Sequence, residues 1–147
     1  MKKILLALSL LSLTAISYAE IVVKDAWVRA TVPQQKATGA FMQIRSTKDV
    51  SLVEVQTSAA GMAEVHEMKM ESNVMKMRAL PQLNIDAGKL VELKPGSSHI
   101  MLMDLKAQAK PGETIPLTLV FEGKDKKREL IEVKAVVKSM TATEGRM

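Results

Sequence analysis

No cysteine occurs among the 147 residues of this chain. That absence excludes a disulfide framework, a thiolate zinc site, a blue-copper electron-transfer centre and a lipid-bearing cysteine. Aromatic residues are almost as scarce, with one Trp, one Tyr and two Phe, so there is little to stack on bases and no nucleic-acid partner is expected. Histidine occurs twice, as His66 and His99. No Ser or Thr has a spare histidine to activate it, and no carboxylates pair at a suggestive spacing, so the chain is expected not to be an enzyme. Charge is mild and scattered. The formal +5 falls by two without Lys2 and Lys3, and the densest run, Lys124 to Arg128, follows Gly123 as a hairpin tip would.

One apolar run stands out, Ile4 to Ile16, preceded by Lys2 and Lys3 and followed by Ser17-Tyr18-Ala19. It falls short of the roughly 20 residues that span a bilayer. Its positive start and small-residue end are those of a cleaved signal peptide over 1–19. An exported, periplasmic protein with no membrane span after cleavage is the expectation. The domain would then be 20–138 and a flexible C-terminal tail 139–147.

From Glu20 onward the pattern is alternation, broken by turn signals. "IVVKDAWVRAT" (21–31), "GAFMQIRST" (39–47) and "VSLVEVQTS" (50–58) are strand-like, with Val53 and Val55 expected on one face and Glu54 and Gln56 on the other. Ile115, Leu117, Leu119 and Phe121 alternate, as do Ile131, Val133, Ala135 and Val137. The Lys-Pro-Gly sequences at 94–96 and 110–112 suit type II turns, proline fixing φ at the first corner and glycine taking positive φ at the second. No stretch shows sustained helical periodicity. Seven to nine short strands in one all-β domain, a β-sandwich or barrel, follow from this spacing. Trp27 is assigned to the core, and Asp25, Arg29 and Glu64 to solvated strand positions.

Methionine is abundant, with eleven residues, seven of them (62, 68, 70, 75, 77, 101, 103) between positions 62 and 103. Both histidines lie in that window, each followed by Met two residues later. A Met stripe alone reads as core packing. A buried histidine, however, needs hydrogen-bond partners that thioethers barely supply. "HEMKMESNVMKMRAL" (66–80) reads as a hairpin turning at Glu71-Ser72 or Ser72-Asn73. Either register puts 66, 68, 70, 75 and 77 on one face and Glu67, Lys69, Lys76 and Arg78 on the other. His99, Met101 and Met103 share a face of a second strand, with Ile100 and Leu102 turned to the core. Brought together, these strands offer two imidazoles and two or more thioethers. Thioethers are soft, uncharged donors that select Cu(I) over harder ions. With no thiolate to lock the metal, such a site suits a carrier.

The spacing His66, ten residues, Met77, twenty-one residues, His99, one residue, Met101 is the H-x10-M-x21-H-x-M signature, and in it the chain resembles the PCuAC family of periplasmic copper chaperones. "AWVRAT", "GAFMQI", "GSSHIMLMDL" and "KPGETIPLTLVFE" extend the likeness over nearly all of the chain after Ala19. The resemblance implies a cupredoxin-like Greek-key β-sandwich holding one Cu(I) per chain through His66, Met77, His99 and Met101. It implies delivery toward the CuA site of cytochrome c oxidase, directly or through a thiol partner of the Sco type; a monomer is expected. The tail "SMTATEGRM" has no histidine, unlike the His/Met-rich extension of some members. The choice of Met77 over Met68 rests on the resemblance, because the face argument treats them alike. Copper buffering or resistance is the alternative, and a Met-rich protein-interaction module a third reading.

Overall fold

The computed structural model describes residues 19–139; the expected signal peptide and tail lie outside them, apart from Ala19 and Ser139. Among the described residues ten strands form, in chain order β1 (Ile21–Arg29), β2 (Ala37–Ser46), β3 (Val50–Gln56), β4 (Ala60–Glu71), β5 (Val74–Leu80), β6 (Leu83–Ile85), β7 (Leu90–Leu93), β8 (His99–Leu105), β9 (Thr114–Gly123) and β10 (Arg128–Lys138). The fold is all-β, a single cupredoxin-like sandwich. The sequence pattern undercounts the strands because β6 and β7 are too short to display a period of two.

Hydrogen bonding runs in the order β5-β4-β8-β2-β1-β10-β9-β3-β6, with β7 also on β2. The first and last strands, β1 and β10, pair in parallel, Trp27 opposite Val136. This long ribbon folds over so that its two halves face each other across the core. Ala40, Met42 and Ile44 of β2 and Ile100 and Leu102 of β8 fill one side; Leu52 of β3, Leu117, Leu119 and Phe121 of β9, and Ala135 and Val137 of β10 fill the other. The alternation expected for β9 and for the end of β10 is therefore realised as buried residues. Both Lys-Pro-Gly turns form: Gly96 and Gly112 have φ of 80° and 89°, and Ser97 N–H and Glu113 N–H donate back to the Lys94 and Lys110 carbonyls.

Two β-bulges reverse the side-chain alternation and correct the sequence-based assignments. In β3 the pairing steps from Leu52–Phe121 to Glu54–Val120, so Val53 is the extra residue. Leu52 and Val55 are buried while Val53 is only half-buried, rather than sharing the core face with Val55. In β1 the pairing steps from Lys24–Gln43 to Trp27–Phe41, with Asp25 at a φ of 54°. Before that bulge Ile21 and Val23 pack on the core, and after it Val28 does. Trp27 is thereby turned to the outer face of the sheet. It is buried, as expected, but against Phe41 outside the main core cluster, with ring centroids 4.5 Å apart.

The charged run at 124–127 is the β9–β10 hairpin tip. Lys124 Nζ reaches Asp49 at 2.8 Å, and the same carboxylate accepts the Ala87 N–H at 2.8 Å, joining three loops at one end of the sandwich. The Lys124 ammonium, followed by that N–H, holds the Asp49 carboxyl below its ordinary value.

Candidate metal centre

The histidines lie on strands β4 and β8. Strand β4 lies between β5 and β8, with His66 directly opposite His99, Glu64 opposite Met101 and Met62 opposite Met103. On its other side β4 pairs Met68 with Met77 and Met70 with Met75. Of the two hairpin registers the sequence allows, the one turning at Ser72-Asn73 is adopted. Both residues take positive φ, 49° and 64°, as the tight two-residue turn between twisted strands demands. One outer face therefore presents Met62, Glu64, His66, Met68 and Met70 from β4, Met75 and Met77 from β5, and His99, Met101 and Met103 from β8. Ile100 and Leu102 point the other way and are fully buried, as the alternation of β8 predicts.

A row of rings crosses this face from β1 to β4. Trp27 stacks on Phe41, Phe41 lies 6.1 Å from His99, and His99 lies 6.2 Å from His66 between centroids. His99 is 7% exposed and the His66 side chain 14%. The Arg29 guanidinium stands 5.5 Å over Phe41 and the Lys138 ammonium 5.6 Å over Trp27, sealing the row with cation–π contacts.

Hydrogen bonding sets which nitrogen each imidazole offers. The Ser97 carbonyl can only accept, so its 2.9 Å contact with His99 Nδ1 places the proton there and leaves the lone pair on Nε2. Glu64 Oε2 lies 3.0 Å from His66 Nε2. As a carboxylate it too can only accept, which puts the His66 lone pair on Nδ1. That nitrogen meets Met77 Sδ at 3.2 Å. A nitrogen and a sulfur lone pair facing each other this closely form a donor pair for a soft cation.

The structure thus gathers His66, Met77, His99 and Met101 on one face, Met77 reaching His66 along the diagonal. Met101 is half-buried between Glu64 and Gly39, its partners on either side. Met103 lies one pair further from the histidines, opposite the exposed Met62. Among the described residues no three His, Cys, Asp or Glu side chains cluster as a metal site, so an ion at this face needs the thioethers. A cavity of about 950 Å³ bordered by Ile21, Asp49, Phe121 and Lys124 takes in none of the histidines or methionines.

Three contributors escape the sequence reading. Glu64, assigned there to solvent, orients His66; the E-x-H spacing on one strand face is the signal that could have found it. Phe41 walls His99, which is not visible without knowing that β8 pairs with β2, and the Ser97 carbonyl, two residues before His99, fixes its tautomer. Gly39 is the fourth position of interest, because a Cβ there would stand 2.8 Å from Phe41 Cζ. Gly39→Val is expected to displace Phe41, destabilising the fold by roughly 1–3 kcal/mol through overpacking. Thermal unfolding and the emission of Trp27 check this together: a lower Tm with unchanged emission would mean that Phe41 has kept its seat.

Comparison with known proteins agrees with the fold. A family model described as "Putative lipoprotein LpqE-like" matches residues 21–137. The curated "Putative lipoprotein Lxx21020" of Leifsonia xyli subsp. xyli is 36% identical over 102 residues, 67% of this chain. The aligned region spans 60% of that relative's length. The solution structure of CuI-DR1885 from Deinococcus radiodurans is 32% identical, with a TM-score of 0.58, over 80% of this chain and 76% of that one. A copper-bound PCuAC domain from PmoF2, only 18% identical, shares the fold at a TM-score of 0.65 over 81% of this chain and 92% of its own. With its paired histidines and thioethers on the outer face of a PCuAC-type sandwich, the chain belongs to the LpqE-like family.

Proposed function

We propose that this protein is an exported, periplasmic Cu(I) carrier that holds one ion among His66, Met77, His99 and Met101 and passes it to an acceptor. The observation that carries the reading is the pairing of His66 Nδ1 with Met77 Sδ at 3.2 Å while Nε2 of the same ring is committed to Glu64. Nitrogen and thioether donors at neutral charge favour a soft monovalent ion. The ion is cargo, bound without thiolate, so a thiolate- or imidazole-rich acceptor takes it by ligand exchange. His66 and His99 supply directed lone pairs, Glu64 and Ser97 keep them directed, and Phe41 with Trp27 excludes water from one flank. The similarity to CuI-DR1885, whose name states its ion, supports Cu(I) as the cargo.

Delivery toward the CuA site of cytochrome c oxidase, directly or through a Sco-type thiol protein, is the role we assign to the carrier. An anaerobic competition titration, followed by mixing the Cu(I)-loaded protein with an apo CuA domain or a reduced thiol acceptor, tests both levels. One tightly held Cu(I) that moves to either acceptor is expected. Tight binding without transfer to either would favour copper buffering, and no competition with the chelator would remove the metal reading.

A further inference from the structure

The hairpin of β4 and β5 is longer than the sheet that supports it. The β4–β8 ladder ends at His66–His99, whereas the β4–β5 ladder continues to Glu71–Val74. Residues 67–78 therefore form a two-stranded arm beyond the last strand of the sheet. Its polar face is stapled by the Glu67–Arg78 and Glu71–Lys76 ion pairs. The face continuous with His66 is methionine at every position up to the turn: Met68, Met70, Met75 and Met77. Met70, Met75 and Met77 are 59%, 45% and 49% exposed.

Core packing does not account for this face, because Met70, Met75 and Met77 stand exposed and none of its four methionines belongs to the core cluster. Strand propensity does not either, since exposed strands favour β-branched and aromatic side chains. A local choice that runs against both is expected where function set it. Direct cross-strand partners have Cβ atoms about 4.5–5.5 Å apart, and Met68–Met77 and Met70–Met75 are two such pairs in adjacent positions. Flexible thioether side chains bring sulfurs at that spacing onto a common point.

We infer that Met68, Met70 and Met75 form a second, all-thioether site for Cu(I), at the tip side of the His66–Met77 pair. Three uncharged sulfurs hold the ion more weakly than a set with two imidazoles, and their exposure lets it enter and leave quickly. Met77, cross-strand partner of Met68 and neighbour of His66, joins the two sites. The arm then acts as a landing stage through which copper reaches or departs the inner site. That relay rests on the function proposed above; the second site itself does not.

The test is anaerobic uptake of Cu(I) from a chelator, with the methionine methyl signals followed by NMR. Wild-type protein is expected to take up a second, weaker equivalent that shifts the methyls of Met68, Met70 and Met75. The Met68→Leu/Met70→Leu/Met75→Leu variant keeps the apolar bulk, and it should lose that equivalent while retaining the tighter one. The His66→Ala/His99→Ala variant should lose the tighter equivalent and keep the weaker. Saturation of the wild type at a single Cu(I), or a second equivalent untouched by the three leucines, overturns the inference. Tight uptake that survives loss of both histidines would instead overturn the carrier site, whatever the arm does.

Discussion

His99→Ala is expected to lower Cu(I) affinity by at least about 100-fold, more than the roughly 10- to 100-fold that losing an outer-shell partner costs. His99 brings a nitrogen whose direction is set in advance: Nδ1–H is held by the Ser97 carbonyl at 2.9 Å, and the ring is buried beside Phe41 and His66. The one other imidazole of this face, His66, is already committed as a donor, so the nearest substitutes are thioethers. Glu64→Ala should lie within the smaller range, because it frees His66 to adopt the tautomer that hides its lone pair without deleting a donor. Competition titration of both variants against wild type, with Tm recorded for each, reads the ranking. Equal affinities for wild type and His99→Ala in a folded variant would place copper elsewhere.

The second large effect belongs to stability. Phe121 is the bulkiest of the fully buried side chains, 1% exposed, and sits on β9 opposite Leu52 and Glu129. Truncation to alanine is expected to cost about 3–5 kcal/mol through lost burial and the cavity left behind. Against the roughly 5–15 kcal/mol that holds a typical domain, this is a large share, and no disulfide is present to support the remainder. A fall in Tm on the order of 10–20 °C should follow. Phe121 borders the cavity beside Asp49 and Lys124, which takes in none of the histidines or methionines. The variant that remains folded at low temperature should therefore bind Cu(I) as wild type does. Loss of binding in the folded variant would mean that the copper face is coupled to the core around Phe121.

How far the sequence speaks for the structure differs from element to element. Clean alternation in β8 and β9 is enough to assign Ile100, Leu102, Leu117 and Phe121 to the core, and the Lys-Pro-Gly turns declare their type through proline and glycine chemistry. Alternation fails where one extra residue intrudes. The bulge after Leu52 takes Val53 out of the core, and the bulge at Asp25 turns Trp27 onto the outer face, because each reverses every side chain beyond it. The candidate site is legible along each strand and illegible across them. His-x-Met spacing shows which side chains share a strand face. That His66 lies opposite His99, that Phe41 walls His99 and that Met77 rather than Met68 reaches His66 are facts of register. Glu64 illustrates the same limit: an acidic residue on an outer face looks solvated until its neighbour is known to be a directed imidazole.

The parallel pairing of β1 with β10 has a kinetic consequence. Trp27 needs Phe41 on one side and Val136 on the other, so its strand is complete only when segments more than a hundred residues apart in sequence have met. Contacts of that separation pay their loop-closure entropy before they return any energy, which places such β-topologies among the slower folders, in the millisecond-to-second range. The aromatic row that flanks His99 is anchored at this last junction, with Lys138 of β10 lying over Trp27. Assembly of the copper face is therefore expected late in folding, and the single tryptophan of the chain should report it, its fluorescence changing when the final strand docks.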